Sequence, residues 1–204
     1  GSLATSVKQF QPLQVLTFAE QIALALSFAH SHRIIHRDVK PDNILIDLKG
    51  GVAKLGDFGS AKMMQTVVST GTVAGTPIYM APEVQTGGSS DPSLDVFSFG
   101  MTFWELLHPG VNHRLGANTV SIYLAISSGK RPALDPNTNP ALAALIQKCW
   151  DGDATKRPPM QQVHQELHRV RVALEAIPPG GPATGIGPVF VGWDSVAATM
   201  SKQE

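Results

Sequence analysis

A short stretch of the chain, residues 36–43, combines two carboxylates with a Lys and an Asn. Asp38 is followed at close spacing by Lys40 and Asn43, and a further carboxylate, Asp57, lies some way along the chain. Carboxylate and amide oxygens suit hard cations such as Mg²⁺, a carboxylate can take up a proton, and an ammonium group can meet an anion. The competing interpretation is structural, because Asp side chains also cap turns and tight bends.

Three motifs follow one another in order along the chain. They are His-Arg-Asp-Val-Lys-Pro-Asp-Asn at residues 36–43, Asp-Phe-Gly at 57–59 and Ala-Pro-Glu at 81–83. The first has the pattern of an Asp, four residues and an Asn, the second follows a predicted strand, and the third ends a Ser/Thr-rich segment. In pattern, order and context, residues 12–174 resemble the C-terminal lobe of the eukaryotic protein kinases. The joint spacing favours this interpretation over turn capping.

The resemblance implies a role for each polar residue in the transfer of a phosphoryl group. Asp38 would accept the proton of a substrate hydroxyl, and Lys40 would place its cation against the γ-phosphate. Asn43 and Asp57 would hold Mg²⁺, a cation that prefers oxygen ligands. Leu45 would pack beneath the adenine. The implied cofactors are ATP and Mg²⁺, and the implied partner is a protein substrate.

The resemblance also implies contacts that hold these residues in place. A buried ring pair of His36 and Phe58, with Gly59 after it, would link the first two motifs. The carboxylate of Asp95 would hold the catalytic-loop backbone. A buried ion pair of Glu83 and Arg157 would anchor the end of the Ser/Thr-rich segment. Removing one partner of a buried ion pair leaves the other charge uncompensated, so this pair is expected to matter for stability.

Further resemblances narrow the kinase subclass. Lys40-Pro41 and Gly75-Thr76-Pro77 resemble serine/threonine kinases. The segments around Trp104, Trp150 and Arg157 resemble the tyrosine-kinase-like group of serine/threonine kinases. The two tryptophans are expected in the core rather than in a binding site.

Arg37, directly before Asp38, suggests control by phosphorylation of the Ser/Thr-rich loop. A phosphate there could pair with the guanidinium and order the loop, which makes an upstream activating kinase a candidate partner. An unmodified loop is an equally good interpretation. The candidate acceptors are Thr66, Ser69, Thr70 and Thr72, whereas Thr76 is expected to help shape the substrate site.

Hydrophobic periodicity indicates the elements that must position these residues. Apolar spacing predicts helices over 12–32, 94–107, 118–128, 140–150 and 160–174, and short apolar runs predict strands at 34–35, 44–46 and 52–55. Residues 60–91 are expected to form a long exposed segment. The predicted fold class is mainly α with small β-hairpin elements (α+β), corresponding to a kinase C-lobe with the N-lobe absent.

The expected organisation is one lobe with two flanking segments. Residues 1–11 are predicted to be an N-terminal extension at the end of an upstream region, and residues 12–176 the lobe. Residues 177–204 begin as IPPGGPATGIGP and are predicted to be a flexible Gly/Pro-rich tail.

Composition excludes several classes of function. The 16 Lys and Arg balance 16 Asp and Glu, which argues against nucleic acid or an anionic membrane as the main partner. The single cysteine, Cys149, excludes an internal disulfide and suits a reducing, cytoplasmic location. It lies on an apolar helix face and is expected to be buried rather than reactive. No segment is expected to span a membrane.

The histidines invite a metal interpretation that their surroundings do not support. His30, His32 and His36 lie close together, but the catalytic-loop motif already uses His36 and the sequence offers no Cys or suitably spaced acid to complete a site. His30 and His32 are therefore expected to be surface histidines. His164 and His168 stand one helical turn apart, and they are expected on a solvated helix face.

Three elements that a kinase needs do not occur in residues 1–204. These are the Gly-rich loop over the phosphates, the strand Lys that pairs with them and the helix Glu that holds this Lys. The prediction is therefore a partial catalytic domain of a serine/threonine protein kinase that is inactive alone. The alternative is a catalytically silent, kinase-like binding or regulatory module.

Overall fold

Two apolar helices, α1 and α3, lie among the other elements, which pack around them. The computed structural model describes residues 10–47, 49–58, 62–63, 77–85 and 91–176, and the structural statements here concern those residues. In chain order the elements are α1 (Pro12–Ser31), β1 (Ile34–Ile35), β2 (Ile44–Asp47), β3 (Val52–Leu55), β4 (Lys62–Met63), α2 (Pro82–Gln85), α3 (Ser93–Leu107), α4 (Thr119–Ser127), α5 (Pro140–Cys149) and α6 (Met160–Glu175), with 3-10 turns at Pro41–Asn43, Pro77–Tyr79 and Ala154–Lys156.

Helix α3 is apolar on nearly all sides because it is buried on nearly all sides. Its sequence offers a narrow polar stripe of Ser98, Thr102 and Glu105, and the structure buries the first two. Ser98 Oγ donates to Tyr79 O at 2.7 Å, and Thr102 Oγ1 donates to Val39 O at 3.3 Å. The stripe therefore ties α3 to the two loops that carry the first and third motifs.

Gly100 allows α3 and α5 to approach closely. A Cβ at this position would lie 2.8 Å from Cys149 Cβ and 3.2 Å from Trp150 N, which is too close for any side chain without a shift of the helices. Trp104 and Trp150 are 2% and 5% exposed, which confirms that both belong to the core.

Helix α1 supplies one side of the core. Its 20 residues and mean hydropathy of 1.3 meet the length and composition of a membrane-spanning helix, which corrects the expectation that no segment does so. Packing within the protein accounts for this composition, because eight of its side chains are buried there. They are Val15, Leu16, Phe18, Ala19, Ile22, Ala23, Leu26 and Ala29.

Glu20 joins α1 to α6. Its Oε1 lies 2.8 Å from His168 Nδ1 and 3.8 Å from His164 Nε2, and its Oε2 accepts from Arg171 Nε at 2.5 Å. Burial acts to raise the pKa of Glu20, but the hydrogen bonds from Arg171 and His168 outweigh it and lower that pKa. The His168 side chain is 54% exposed, which agrees with the predicted solvated helix face, whereas the His164 side chain is 26% exposed and so is partly buried beside this carboxylate.

Two small antiparallel pairs make up the β structure of the described residues. Strands β2 and β3 form a hairpin with Ile44 opposite Leu55 and Asp47 opposite Val52. Strands β1 and β4 pair over two residues each, with Ile34 opposite Met63. The sequence predicts three of these strands and misses β4, because Lys62–Met63 does not form an apolar run as Ile34–Ile35 does.

The prediction of a long exposed segment over residues 60–91 is wrong where the structure describes it. Ile78, Met80 and Ala81 are buried, and the 3-10 turn at Pro77–Tyr79 packs against α3 and α4. Residues 77–81 lack sustained periodicity because they form a 3-10 turn and the loop after it, and their buried apolar side chains belong to the core.

The helix-rich architecture with small antiparallel strands agrees with the predicted α+β class. The five predicted helices are present, with ends that agree to within about a residue. The expected N-terminal extension and C-terminal tail fall largely on residues 1–9 and 177–204, which lie outside the described residues.

Candidate active site

A buried carboxylate at the start of α3 holds the loop that contains the first motif. Asp95 is fully buried; its Oδ2 accepts from His36 N at 2.8 Å and its Oδ1 from Arg37 N at 2.7 Å. Arg37 has a φ of 72°, in the left-handed region that is costly for a residue with a side chain. The hydrogen bonds to Asp95 therefore hold the loop in a backbone shape that it would not adopt alone.

His30 makes a third contact to this carboxylate, which sequence reasoning missed. Its Nε2 lies 2.8 Å from Asp95 Oδ2, and its side chain is only 10% exposed. The expectation that His30 lies on the surface is wrong, whereas His36 is fully buried, as expected from its predicted ring pair with Phe58. His32 is exposed as expected. Among the described residues, no three His, Cys, Asp or Glu side chains form a group that could hold a metal.

The structure brings Asp38, Lys40 and Asn43 together in one hydrogen-bonded cluster. Lys40 Nζ lies 2.7 Å from Asp38 Oδ2, and Asn43 Nδ2 donates to the same oxygen at 2.8 Å and to Asp38 O at 2.7 Å. The side chains of Asp38 and Lys40 are 16% and 18% exposed, so the cluster opens to solvent at one side. Oδ1 of Asp38 accepts no hydrogen bond from the described residues and is available to an incoming hydroxyl.

Gly56, which sequence reasoning did not single out, connects this cluster to the second motif. Its N–H donates to Asn43 O at 2.8 Å, and its carbonyl lies 2.9 Å from His36 Nε2. Asp38 N donates to His36 Nδ1 at 3.3 Å, so the imidazole proton is on Nε2 and is donated to Gly56. The only sequence signal for Gly56 is its position directly before Asp57.

Asp57 directly follows Gly56, whose N–H bonds to the backbone of Asn43. Asp57 is exposed at the end of β3 and has a φ of 52°. Asn43 donates its side-chain N–H groups to Asp38. Its side-chain oxygen accepts no hydrogen bond from the described residues and can therefore bind another ligand. One carboxylate and one amide oxygen suit Mg²⁺, which usually takes its other ligands from phosphates and water.

The ring pair between the first two motifs is present but only half buried. The rings of His36 and Phe58 lie edge to face with centroids 4.7 Å apart, and Phe58 is 49% exposed. The expectation of a buried pair is therefore wrong for Phe58. Leu45 is likewise 50% exposed, because it points away from the core between the inward-facing Ile44 and Ile46. Both apolar side chains are thus available to a ligand or to another part of the protein.

Glu83 and Arg157 form a two-pronged ion pair. The distances are 2.6 Å from Nη1 to Oε1 and 2.8 Å from Nη2 to Oε2, and the Arg157 side chain is fully buried. Its guanidinium also donates to two backbone carbonyls and lies over the ring of Phe97. Arg131 lies over the same ring; burial lowers the pKa of Arg131 to about 10, and the charge of Arg157 adds to this effect.

A second polar contact near the third motif was not predicted. Tyr79 donates its hydroxyl hydrogen to Glu105 Oε2 at 2.5 Å, which joins the 3-10 turn to α3. Burial raises the pKa of Tyr79, and the charge of Glu105 raises it further. No local pattern indicates this pair, because its members are far apart in the sequence and meet only through the fold.

Several predicted residues cannot be placed beside this cluster. They lie outside the described residues and are Gly59, Thr66, Ser69, Thr70, Thr72 and Thr76.

Comparison with protein families finds one matching domain. The model described as protein kinase domain matches residues 1–168. It covers the whole candidate site and most of the described helices.

Comparison with individual proteins finds serine/threonine kinases. The chain is 35% identical over 172 residues to the serine/threonine-protein kinase STY46 of Arabidopsis thaliana, covering 83% of this chain and 30% of the relative. It is 32% identical over 173 residues to human mitogen-activated protein kinase kinase kinase 7, covering 80% and 28%. It is 31% identical over 179 residues to the serine/threonine-protein kinase mos of Patiria pectinifera, covering 82% and 50%. The chain thus spans half or less of the length of these relatives.

Proposed function

The chain belongs to the eukaryotic protein kinase family, and from this premise we propose that residues 12–176 form the C-terminal catalytic lobe of a serine/threonine protein kinase. The proposed reaction transfers the γ-phosphoryl group of ATP to Ser or Thr hydroxyls of proteins. The observation that carries the proposal concerns the two carboxylate oxygens of Asp38. Lys40 and Asn43 both bond to Oδ2, whereas Oδ1 accepts no hydrogen bond from the described residues.

Asp38 would act as the base at its open oxygen. Lys40 and Asn43 fix the carboxylate by binding Oδ2, so Oδ1 is oriented without being occupied. A substrate hydroxyl donating to Oδ1 would be aligned, and its proton would pass to Asp38 as the hydroxyl oxygen bonds to the γ-phosphorus. The bond from that phosphorus to the bridging oxygen would break, and ADP would leave with the electron pair. A fixed base matters here because phosphoryl transfer depends mainly on positioning.

Lys40, Asn43 and Asp57 would supply the electrostatic part of the reaction. The ammonium group of Lys40 lies within the cluster and can meet a phosphate oxygen beside Asp38. The side-chain oxygens of Asn43 and Asp57 fit Mg²⁺, which when bound neutralises phosphate charge. Leu45 offers an exposed apolar side chain, which supports a role beneath the adenine.

A direct test compares two forms of the protein in a phosphate-transfer assay. We expect the protein with its natural upstream sequence to transfer phosphate from ATP to Ser and Thr, with mass spectrometry identifying the products. Residues 1–204 alone should show no transfer and no tight ATP–Mg²⁺ binding by calorimetry, because the Gly-rich loop and its Lys are not among them. Phosphotyrosine as the main product would contradict the serine/threonine assignment, and submicromolar ATP binding by residues 1–204 would contradict their predicted inactivity.

A silent kinase-like binding module is the second candidate. The lack of a Gly-rich phosphate loop within residues 1–204 favours it. The intact set of Asp38, Lys40, Asn43 and Asp57 favours a working enzyme instead. If the protein with its upstream sequence neither binds ATP nor transfers phosphate, the second candidate is correct.

We further propose that phosphorylation between residues 60 and 76 regulates the enzyme. The position of Arg37 directly before Asp38, with its backbone held by Asp95, supports a phosphate-binding role for its guanidinium. Incubation with an active upstream kinase should place phosphate on one of Thr66, Ser69, Thr70 or Thr72. A mass spectrum without phosphate between Ser60 and Thr76 would exclude this regulation.

A further inference from the structure

One face of α1 is covered at its middle, around Glu20, and bare along its second half. Glu20 on this face bonds to α6, and Gln21 beside it accepts from Ala53 N at 2.6 Å in the β2–β3 hairpin. One and two turns further on, Leu24 is 53% exposed and Phe28 is 67% exposed. The bare half therefore continues an interface that the protein has already built between α1 and α6.

The exposed side chains form a small apolar surface with a basic edge. Leu24 and Phe28 are four residues apart and share a helix face, and the His32 ring lies 4.3 Å from the Phe28 ring, centroid to centroid. We call Leu24, Phe28 and His32 the α1 patch. Arg33, which is also exposed, follows directly and places a positive charge at its edge.

The chain leaves the described structure close to this patch. Arg171, which bonds to Glu20, is five residues before Ala176, or about 7.5 Å along α6 at 1.5 Å per residue. Phe28 is eight residues beyond Glu20, or about 12 Å along α1. Allowing for side chains, the end of α6 lies within roughly 25 Å of the patch whichever way the helices cross.

The sequence beyond α6 supplies a matching segment. Residues 177–188 read IPPGGPATGIGP, and residues 189–194 read VFVGWD. Twelve extended residues span up to roughly 37 Å, so the first stretch is long enough to bring the second to the patch. The second stretch combines Phe190 and Trp193 with two valines and ends in Asp194, a charge opposite to that of Arg33.

We propose that residues 189–194 dock in cis on the α1 patch, with Phe190 and Trp193 covering Leu24 and Phe28 and with Asp194 facing Arg33. The docked segment covers the bare half of the α1 face beside α6. It braces the end of α1, where His30 on the opposite side of the helix contacts Asp95 behind the catalytic loop. This inference does not depend on the proposed catalytic activity.

Fluorescence of Trp193 in the whole 204-residue chain tests the docking. Trp104 and Trp150 are buried, so subtracting the spectrum of a Trp193→Phe variant isolates the signal of Trp193. The expected difference spectrum is blue-shifted from that of indole in water. Phe28→Ser and, separately, Leu24→Ser should each move it to the water value, with the Trp193→Phe spectrum recorded again in each background.

Leu124→Ser is the matched control, because Leu124 is 67% exposed on α4 and does not belong to the patch. It should leave the Trp193 signal unchanged. Both patch side chains are at least half exposed, so their substitution should preserve the fold, which circular dichroism checks. A water-like Trp193 spectrum in the unsubstituted chain would overturn the proposal. So would a blue shift that persists in both patch variants, or one that grows with protein concentration and so reports a second copy.

Discussion

Asp38 illustrates how one carboxylate can be both fixed and available. Its Oδ2 receives Lys40 and Asn43, while Oδ1 accepts nothing from the described residues. Asn43 is divided in the same way, because its N–H groups bond to Asp38 and its side-chain oxygen accepts no hydrogen bond from the described residues, which fits the proposed role in holding Mg²⁺. The two side chains therefore position each other while each keeps one atom for the reaction.

Cys149 represents the opposite case, a reactive group that the fold makes inert. It is 1% exposed, and burial raises the pKa of its thiol to about 12. Since the thiolate is the nucleophile, the native protein at pH 8 should react with a thiol reagent only as fast as it unfolds. The unfolded protein should react at once, and rapid stoichiometric labelling of the native protein would contradict the buried position.

Arg157 is the buried charge whose removal should cost the most stability. Arg157→Ala removes the guanidinium that bonds to both carboxylate oxygens of Glu83 and empties the space beside Phe97, and we expect a loss of about 3 kcal/mol. At about 2–4 °C per kcal/mol for a domain of this size, the melting temperature should fall by about 6–12 °C. Arg169→Ala is the control, because its pair with Glu166 is largely exposed, and it should change the melting temperature little. Equal effects of the two variants would contradict the role of the Glu83 pair.

At the scale of elements, what the sequence could predict depended on periodicity. Helices α1, α3, α4, α5 and α6 carry long apolar repeats, and their bounds could be predicted. The two-residue strand β4 and the turn at Pro77–Tyr79 carry none, so the first was missed and the second was expected to be exposed. Their structure depends on neighbours that are distant in sequence.

The close contact between α3 and α5 requires a residue without a side chain at Gly100. Gly100→Ala would push a Cβ to 2.8 Å from Cys149 Cβ, and overpacking of this kind costs about 1–3 kcal/mol. Chemical denaturation should therefore show a lower free energy of unfolding. Gly152→Ala is the matched control, since a Cβ there meets no atom within 4 Å. A Gly100→Ala variant as stable as the parent would show that the helices can separate at no cost.

At the scale of the whole molecule, one path of contacts runs from the core to the catalytic loop. His30 on α1 meets Asp95 on α3, Asp95 holds His36, and His36 reaches Gly56 before the second motif. The motifs could be identified from sequence because their residues are close together. The role of His30 could not, because its partner is 65 residues away.

The α1–α6 interface should make stability depend on pH in the acid range. The pKa of Glu20 is lowered in the folded protein, so its contribution is complete above its ordinary value of 4.5 and is lost as pH falls through the lowered value. Glu20→Gln should remove this part of the dependence in denaturation experiments between neutral pH and pH 3. Glu166→Gln, on the exposed side of α6, should keep it. Identical pH profiles for the Glu20 variant and the parent would contradict the interface.

The central claim is that Asp38 is the base of a phosphoryl-transfer site, and its most direct test is one substitution in the protein with its natural upstream sequence. Asp38→Asn keeps the shape and removes the proton acceptor, so the rate of phosphate transfer to Ser or Thr should fall about 100-fold or more. Asp42→Asn, the same change at an exposed neighbour, should leave the rate within a few-fold of the parent. An Asp38→Asn protein with the parent's rate would contradict the account.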